Sequence, residues 1–174
     1  MPTSWSWTFE GGTPATSTEQ NPTVTYNEAG EYTVTLVATN AFGSGTETKT
    51  EYISVAAVYN MSNETIYACG GTYKDPGGDG NYGNNTRYTQ TIYPSTDGAY
   101  VRLTFTQLGL QQTTNWNTTT CNDYITIYDG TSTSATQIGQ YCGTNPSSIG
   151  TNGVVTATNS DGALTIYFYS NNST

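Results

Sequence analysis

Histidine is absent from this 174-residue chain, and with it go the commonest general base and the commonest imidazole metal ligand. Cations are scarce as well. Lys49, Lys74, Arg87 and Arg102 stand scattered against 13 acidic residues, for a formal net charge of −9. Nucleic acid and anionic membranes are both held by clustered Lys and Arg, so neither is an expected partner. No run approaches the ~20 apolar residues that cross a bilayer as a helix, and membrane insertion is not expected. The opening Met1-Pro2-Thr3-Ser4-Trp5-Ser6-Trp7 lacks the basic and apolar stretches of a secretory signal. Catalysis has little to rest on. No Ser or Cys nucleophile can find a histidine, Lys is too sparse to substitute, and no glycine-rich phosphate loop ending in Lys occurs. Asp75 and Asp79 could pair, but nothing in the sequence places them in a cleft. The chain reads as non-enzymatic.

Aliphatic residues are also few. Leu, Ile, Val and Phe number 25, about 14%, below the ~20% under which disorder becomes the default. The 15 Tyr and 3 Trp raise the large apolar and aromatic set to 43, so a core forms only if tyrosine helps to build it. Thr makes up about one residue in five and Lys is almost missing. This composition looks exported, and the expected location is extracellular or at the cell surface. With no leader at Met1, the chain is expected to be a mature or truncated piece of a larger protein.

Period-two alternation dominates, with no 3.6-residue stripe. Val34, Leu36 and Ala38 share one face of their segment, as do Val101, Leu103 and Phe105. Asp123-Tyr124-Ile125-Thr126-Ile127-Tyr128 and Leu164-Thr165-Ile166-Tyr167-Phe168-Tyr169 repeat the arrangement. Such runs suit antiparallel sheets with one dry face. Turn signals fall between them at Glu28-Ala29-Gly30-Glu31, Asp97-Gly98, Asp129-Gly130, Asn152-Gly153 and Asp161-Gly162. The predicted fold class is all-β, two consecutive antiparallel sandwiches. A boundary near Ala56–Tyr59 splits the acidic charge, six Glu and no Asp before it against one Glu and six Asp after it. No Pro- or Gly-rich linker separates the halves, which implies a short, stiff joint.

Trp5-Ser6-Trp7-Thr8-Phe9-Glu10-Gly11-Gly12, Thr23-Val24-Thr25-Tyr26, Gly30-Glu31-Tyr32-Thr33-Val34-Thr35-Leu36 and Gly43-Ser44 resemble the PKD domain, an immunoglobulin-like extracellular spacer or adhesion module. Trp5, Trp7 and Phe9 lie on one strand face and are expected to fill a small sandwich core with Val34 and Leu36. The predicted domain is 1–57, partial, with the family's first strands missing. From Cys69 onward the chain resembles a CUB domain of bacterial type. The likeness runs through Cys69-Gly70-Gly71-Thr72, Gly80-Asn81-Tyr82-Gly83-Asn84-Asn85, Cys121-Asn122-Asp123-Tyr124, Gly139-Gln140-Tyr141-Cys142-Gly143 and the Leu164–Ser170 segment. It implies a jelly-roll sandwich over 58–174, with the closing strand missing after Ser173.

By that resemblance Cys121 and Cys142 match a family disulfide, closing a loop worth ~3 kcal/mol; two reduced, buried thiols are the alternative. Cys69 matches half of another bridge, but neither Tyr88 nor Tyr93 supplies the partner. It is expected to be a free, partly buried thiol, with an intermolecular bridge as the sharper alternative. Many CUB domains bind Ca²⁺ through an acidic trio. The matching positions are Gln111, Asp123 and Asn171, so two of three charges are lost and calcium is doubtful; Asp123 making local turn bonds is the alternative. Asp75-Pro76-Gly77-Gly78-Asp79-Gly80-Asn81 loosely resembles a calcium loop but lacks a closing Glu, and reads as a plain turn.

Tyr100, Tyr124, Tyr128, Tyr167 and Tyr169 all fall on the polar-alternating side of their strands. On neighbouring strands they would form an exposed aromatic stripe for a glycan ring or protein chain. Tyrosines standing in for aliphatics, or covering the joint, are the other reading. Asn60, Asn63, Asn84, Asn117, Asn171 and Asn172 each begin an Asn-x-Ser/Thr sequon, which indicates compatibility with glycosylation and little more. The leading expectation is an adhesion or display module of a larger secreted or surface protein, binding protein or glycan partners. Two rivals stand beside it: a fibre subunit assembled by strand complementation at the missing-strand edges, and an accessory module of a secreted peptidase or other hydrolase.

Overall fold

The computed structural model describes residues 1–172. It is all-β, as the alternation predicts, with one 3₁₀ turn at Pro146–Ser148. The chain divides into two compact units, Met1–Val58 and the remainder from Tyr59 onward.

The first unit holds β1 (Ser4–Phe9), β2 (Thr16–Ser17), β3 (Gly30–Asn40) and β4 (Gly43–Val55). They form one antiparallel sheet in the order β2-β1-β3-β4. Register pairs Trp5 with Ala38, Trp7 with Leu36 and Phe9 with Val34, so the apolar residues do share a face. Only Phe9 is buried, however; Trp5, Trp7, Val34 and Leu36 are half-buried, because what covers this face is irregular chain rather than a second sheet. That chain is anchored where the Trp7 indole donates to Glu19 O at 2.9 Å. It turns at Gly11 (φ +68), where a Cβ would stand 2.3 Å from the Tyr32 ring, so only glycine lets the turn close.

The second unit holds all but the first residue of β5 (Val58–Asn60), and β6 (Ile66–Ala68), β7 (Thr72–Lys74), β8 (Arg87–Pro94), β9 (Arg102–Thr104), β10 (Gln112–Asn115), β11 (Thr118–Cys121), β12 (Tyr124–Asp129), β13 (Thr136–Tyr141), β14 (Val154–Thr156) and β15 (Leu164–Tyr169). The main sheet runs β13-β12-β15-β8-β6, with two-stranded sheets β14-β9, β5-β7 and β10-β11 around it. Its inner face supplies Ile92, Ile125, Ile127, Leu164, Ile166 and Phe168 to the core, met by Met61, Val101, Leu110, Ile149, Val155 and Ala157. Each of these side chains other than Ala157 contributes about 1.5–3 kcal/mol through burial. The bulkiest of the buried polar side chains among the described residues is Gln90, 1% exposed. It is satisfied: its Oε1 accepts from the Tyr73 hydroxyl at 2.8 Å and from Ser62 N, and its Nε2 donates to Ser62 Oγ.

Candidate functional site

Because residues alternate across a strand, the side chains between the core positions of the main sheet all point outward. Register sets them in rows. Tyr124 of β12 lies opposite Tyr169 of β15, which lies opposite Arg87 of β8. The next row is Thr126, Tyr167 and Thr89, and the next Tyr128, Thr165 and Thr91. Tyr124 and Tyr169 stack at 5.0 Å, with Tyr167 tilted against Tyr124 at 6.2 Å. The Arg87 guanidinium lies over the Tyr169 ring at 5.1 Å. Tyr169 is thus flanked on the β12 side by a phenol and on the β8 side by a cation. Burial, then the neighbouring tyrosines, raise the Tyr124 phenol above its usual pKa. The face presents hydroxyl tips and one guanidinium, a surface for hydrogen-bonded contact.

Further along, the face is interrupted. Thr126 and Thr165 are buried: the Thr165 hydroxyl donates to Gly130 O at 2.8 Å, and Thr91 bonds both Thr165 and Thr131 O. The chain leaving β12 therefore roofs the threonine rows. A second aromatic pair follows, Tyr67 of β6 stacked on Tyr93 of β8 at 5.2 Å, with Tyr67 66% exposed. Four of the five expected tyrosines thus share this face. Tyr100 does not: it precedes β9, which pairs with β14 in another sheet. There Tyr100 lines a cleft of about 290 Å³ with Tyr59, Cys69 and Arg102. Sequence reasoning missed Tyr67, Tyr93 and Arg87, although the alternation around Ile92 already placed Tyr93 and Arg87 outward.

Cys121 and Cys142 form a disulfide, Cα–Cα 5.6 Å. Cys69 is free but exposed, not partly buried as expected, because it follows β6 where the chain leaves the sheet edge. Asp123 is 3% exposed, and its bonds are long-range rather than a local turn. Oδ2 accepts from the Tyr82 hydroxyl at 2.7 Å and Oδ1 from Asn171 N at 2.8 Å, while Asn122 N and Asp123 N donate to Gln111 O. Burial and the hydrogen bond to Asp123 push the Tyr82 phenol up to about 12. The calcium positions do converge, but with one carboxylate, both of whose oxygens are engaged. This donor set does not fit a hard dication that needs several carboxylates. Among the described residues no three His, Cys, Asp or Glu side chains group to hold a metal. At the Asp75–Asn81 segment, Asp75 accepts from Gly77 N and Asp79 pairs with Lys74, as a turn. Of the sequons, Asn60, Asn63, Asn84 and Asn117 are exposed, and Asn63 also uses its Oδ1 to accept from Thr89 N. Those at Asn171 and Asn172 run into 173–174, outside the described residues.

Two family models match the chain, overlapping over residues 46–55. A PKD domain model matches residues 1–55 and a CUB domain model matches residues 46–174. No curated protein matches the chain. Domains of both kinds are commonly extracellular, non-enzymatic modules. With about three quarters of its length inside the CUB match, the chain belongs to the CUB family, its CUB domain preceded by a PKD domain.

Proposed function

We propose that this chain is an extracellular contact module, serving adhesion or display within a larger secreted or surface protein, and that it works without catalysis or cofactor. Its ligand surface is the outer face of the main sheet around Tyr124, Tyr128, Tyr167 and Tyr169, facing a protein or glycan partner. The observation that supports this reading most directly is the half-exposed tyrosine cluster on the outer side of the main sheet. Tyrosine offers an apolar ring and a polar tip at small entropic cost, which suits it to recognition. The sheet edge favours contact over the fibre reading. Edge strand β4 carries Glu47, Lys49 and Glu51, and its register slips between Tyr32 and Val34 of β3; charge and bulges both discourage strand addition.

Glycan-array binding by the full chain tests the surface. Tyr128→Ala and Tyr167→Ala are each expected to weaken recognition several-fold, and binding that is unchanged in both variants removes this face from the proposal.

A further inference from the structure

The β10–β11 hairpin forms a sheet of its own, outside the main sheet that carries the tyrosine cluster, and bears an unusual backbone residue. Its strands pair from Gln112–Cys121 to Asn115–Thr118, leaving Trp116 and Asn117 as a two-residue turn. Trp116 has φ +53 while Asn117 keeps an ordinary φ. Positive φ at the first turn residue alone is the pattern of a type II′ turn, where glycine ordinarily stands. A bulky side chain there is an outlier. The indole is also fully in solvent, 102% exposed. Trp116 thus bears backbone strain and an unburied ring together, and no contact among the described residues offsets either. Strain of this kind gathers at sites of function.

The hairpin is built to hold that ring outward. Residues 112–120 are all exposed, and no charged side chain occurs from Gln112 to Cys121. Thr114 and Thr119 bond across the strands and Thr113 donates to Asn122. The root is fastened by the Cys121–Cys142 disulfide and by two backbone bonds to Gln111 O. Unlike Tyr169, flanked by Tyr124 and Arg87, the Trp116 ring has both faces open. An open indole flanked by neutral amides and hydroxyls matches a sugar ring, with its C–H face and rim of hydroxyls. The charge of −9 disfavours acidic polymers and anionic surfaces.

We infer that this hairpin is a second binding site, independent of the tyrosine face, which stacks Trp116 on a hexose of a neutral polysaccharide. Asn115, Asn117 and the flanking threonines bond the sugar hydroxyls. The test is affinity electrophoresis of the full chain through gels containing starch, hydroxyethyl cellulose, laminarin or mannan, with titration of indole fluorescence. Retardation by at least one polymer and a blue shift of the emission are expected. Trp116→Ala should weaken binding about tenfold, while Phe42→Ala, at the fully exposed ring of the β3–β4 turn, leaves it unchanged. Trp116→Gly should also lose binding yet melt a few degrees higher, since glycine relieves the left-handed strain. No retardation by any of the four polymers, retention that survives Trp116→Ala, or binding to phosphatidylcholine vesicles instead of polysaccharide would overturn the inference.

Discussion

Asp129 ends β12 and accepts from Thr158 N at 2.9 Å, from Asn159 Nδ2 at 2.6 Å, from Asn159 N and from the Thr158 hydroxyl. Burial acts to raise its pKa, but these bonds outweigh it and hold the carboxyl at about 2 against an ordinary 3.8. With the folded value below the unfolded one, its stabilisation is present in full above the unfolded value. It drains away as pH falls through the folded one. Melting temperature followed from pH 5 to pH 2 should therefore fall, and Asp129→Asn should flatten that decline while lowering stability at neutral pH. An unaltered acid slope in the variant would show that other carboxyls govern it. Nothing in the sequence singled out this residue beyond the Asp129-Gly130 turn signal, because its partners lie 29 and 30 positions away. Asp123 had a motif to mark its position, yet its bonds to Tyr82 and Asn171 were equally hidden by distance along the chain.

Among the elements, alternation was the legible signal. Ile125 and Ile127 with Leu164, Ile166 and Phe168 could be assigned to the dry face, and the tyrosines between them to the wet one, before any pairing was known. Pairing itself was not legible. It joins β12 to β15 and β15 to β8, and thereby brings Arg87 beside Tyr169 while leaving Tyr100 in another sheet. The row Arg87–Tyr169–Tyr124 is then a cross-strand ladder whose worth can be measured. A double-mutant cycle between Tyr124→Ala and Tyr169→Ala in urea should return a coupling of about 0.5–1.5 kcal/mol. Additive effects would reduce the row to mere adjacency.

For the whole molecule, two families read in order along the chain were visible from motif sequence alone. The extent of burial in each half was not. Trp5 and Trp7 were placed on one face correctly, yet how deep that face lies depends on what packs over it, which alternation does not encode. The protected edge of β4 leads us to expect a monomer: light scattering behind size-exclusion chromatography should return one concentration-independent mass near 18.6 kDa. A mass that climbs with concentration under reducing conditions would revive strand exchange.

That measurement turns on Cys69. As the free thiol among the described residues, with the other two cysteines locked together, it offers maleimide reagents a unique attachment point. A dye or spin label placed there would report on the second unit without disturbing its staple. Left unblocked in air, the same atom would tie molecules into covalent pairs and counterfeit an oligomer.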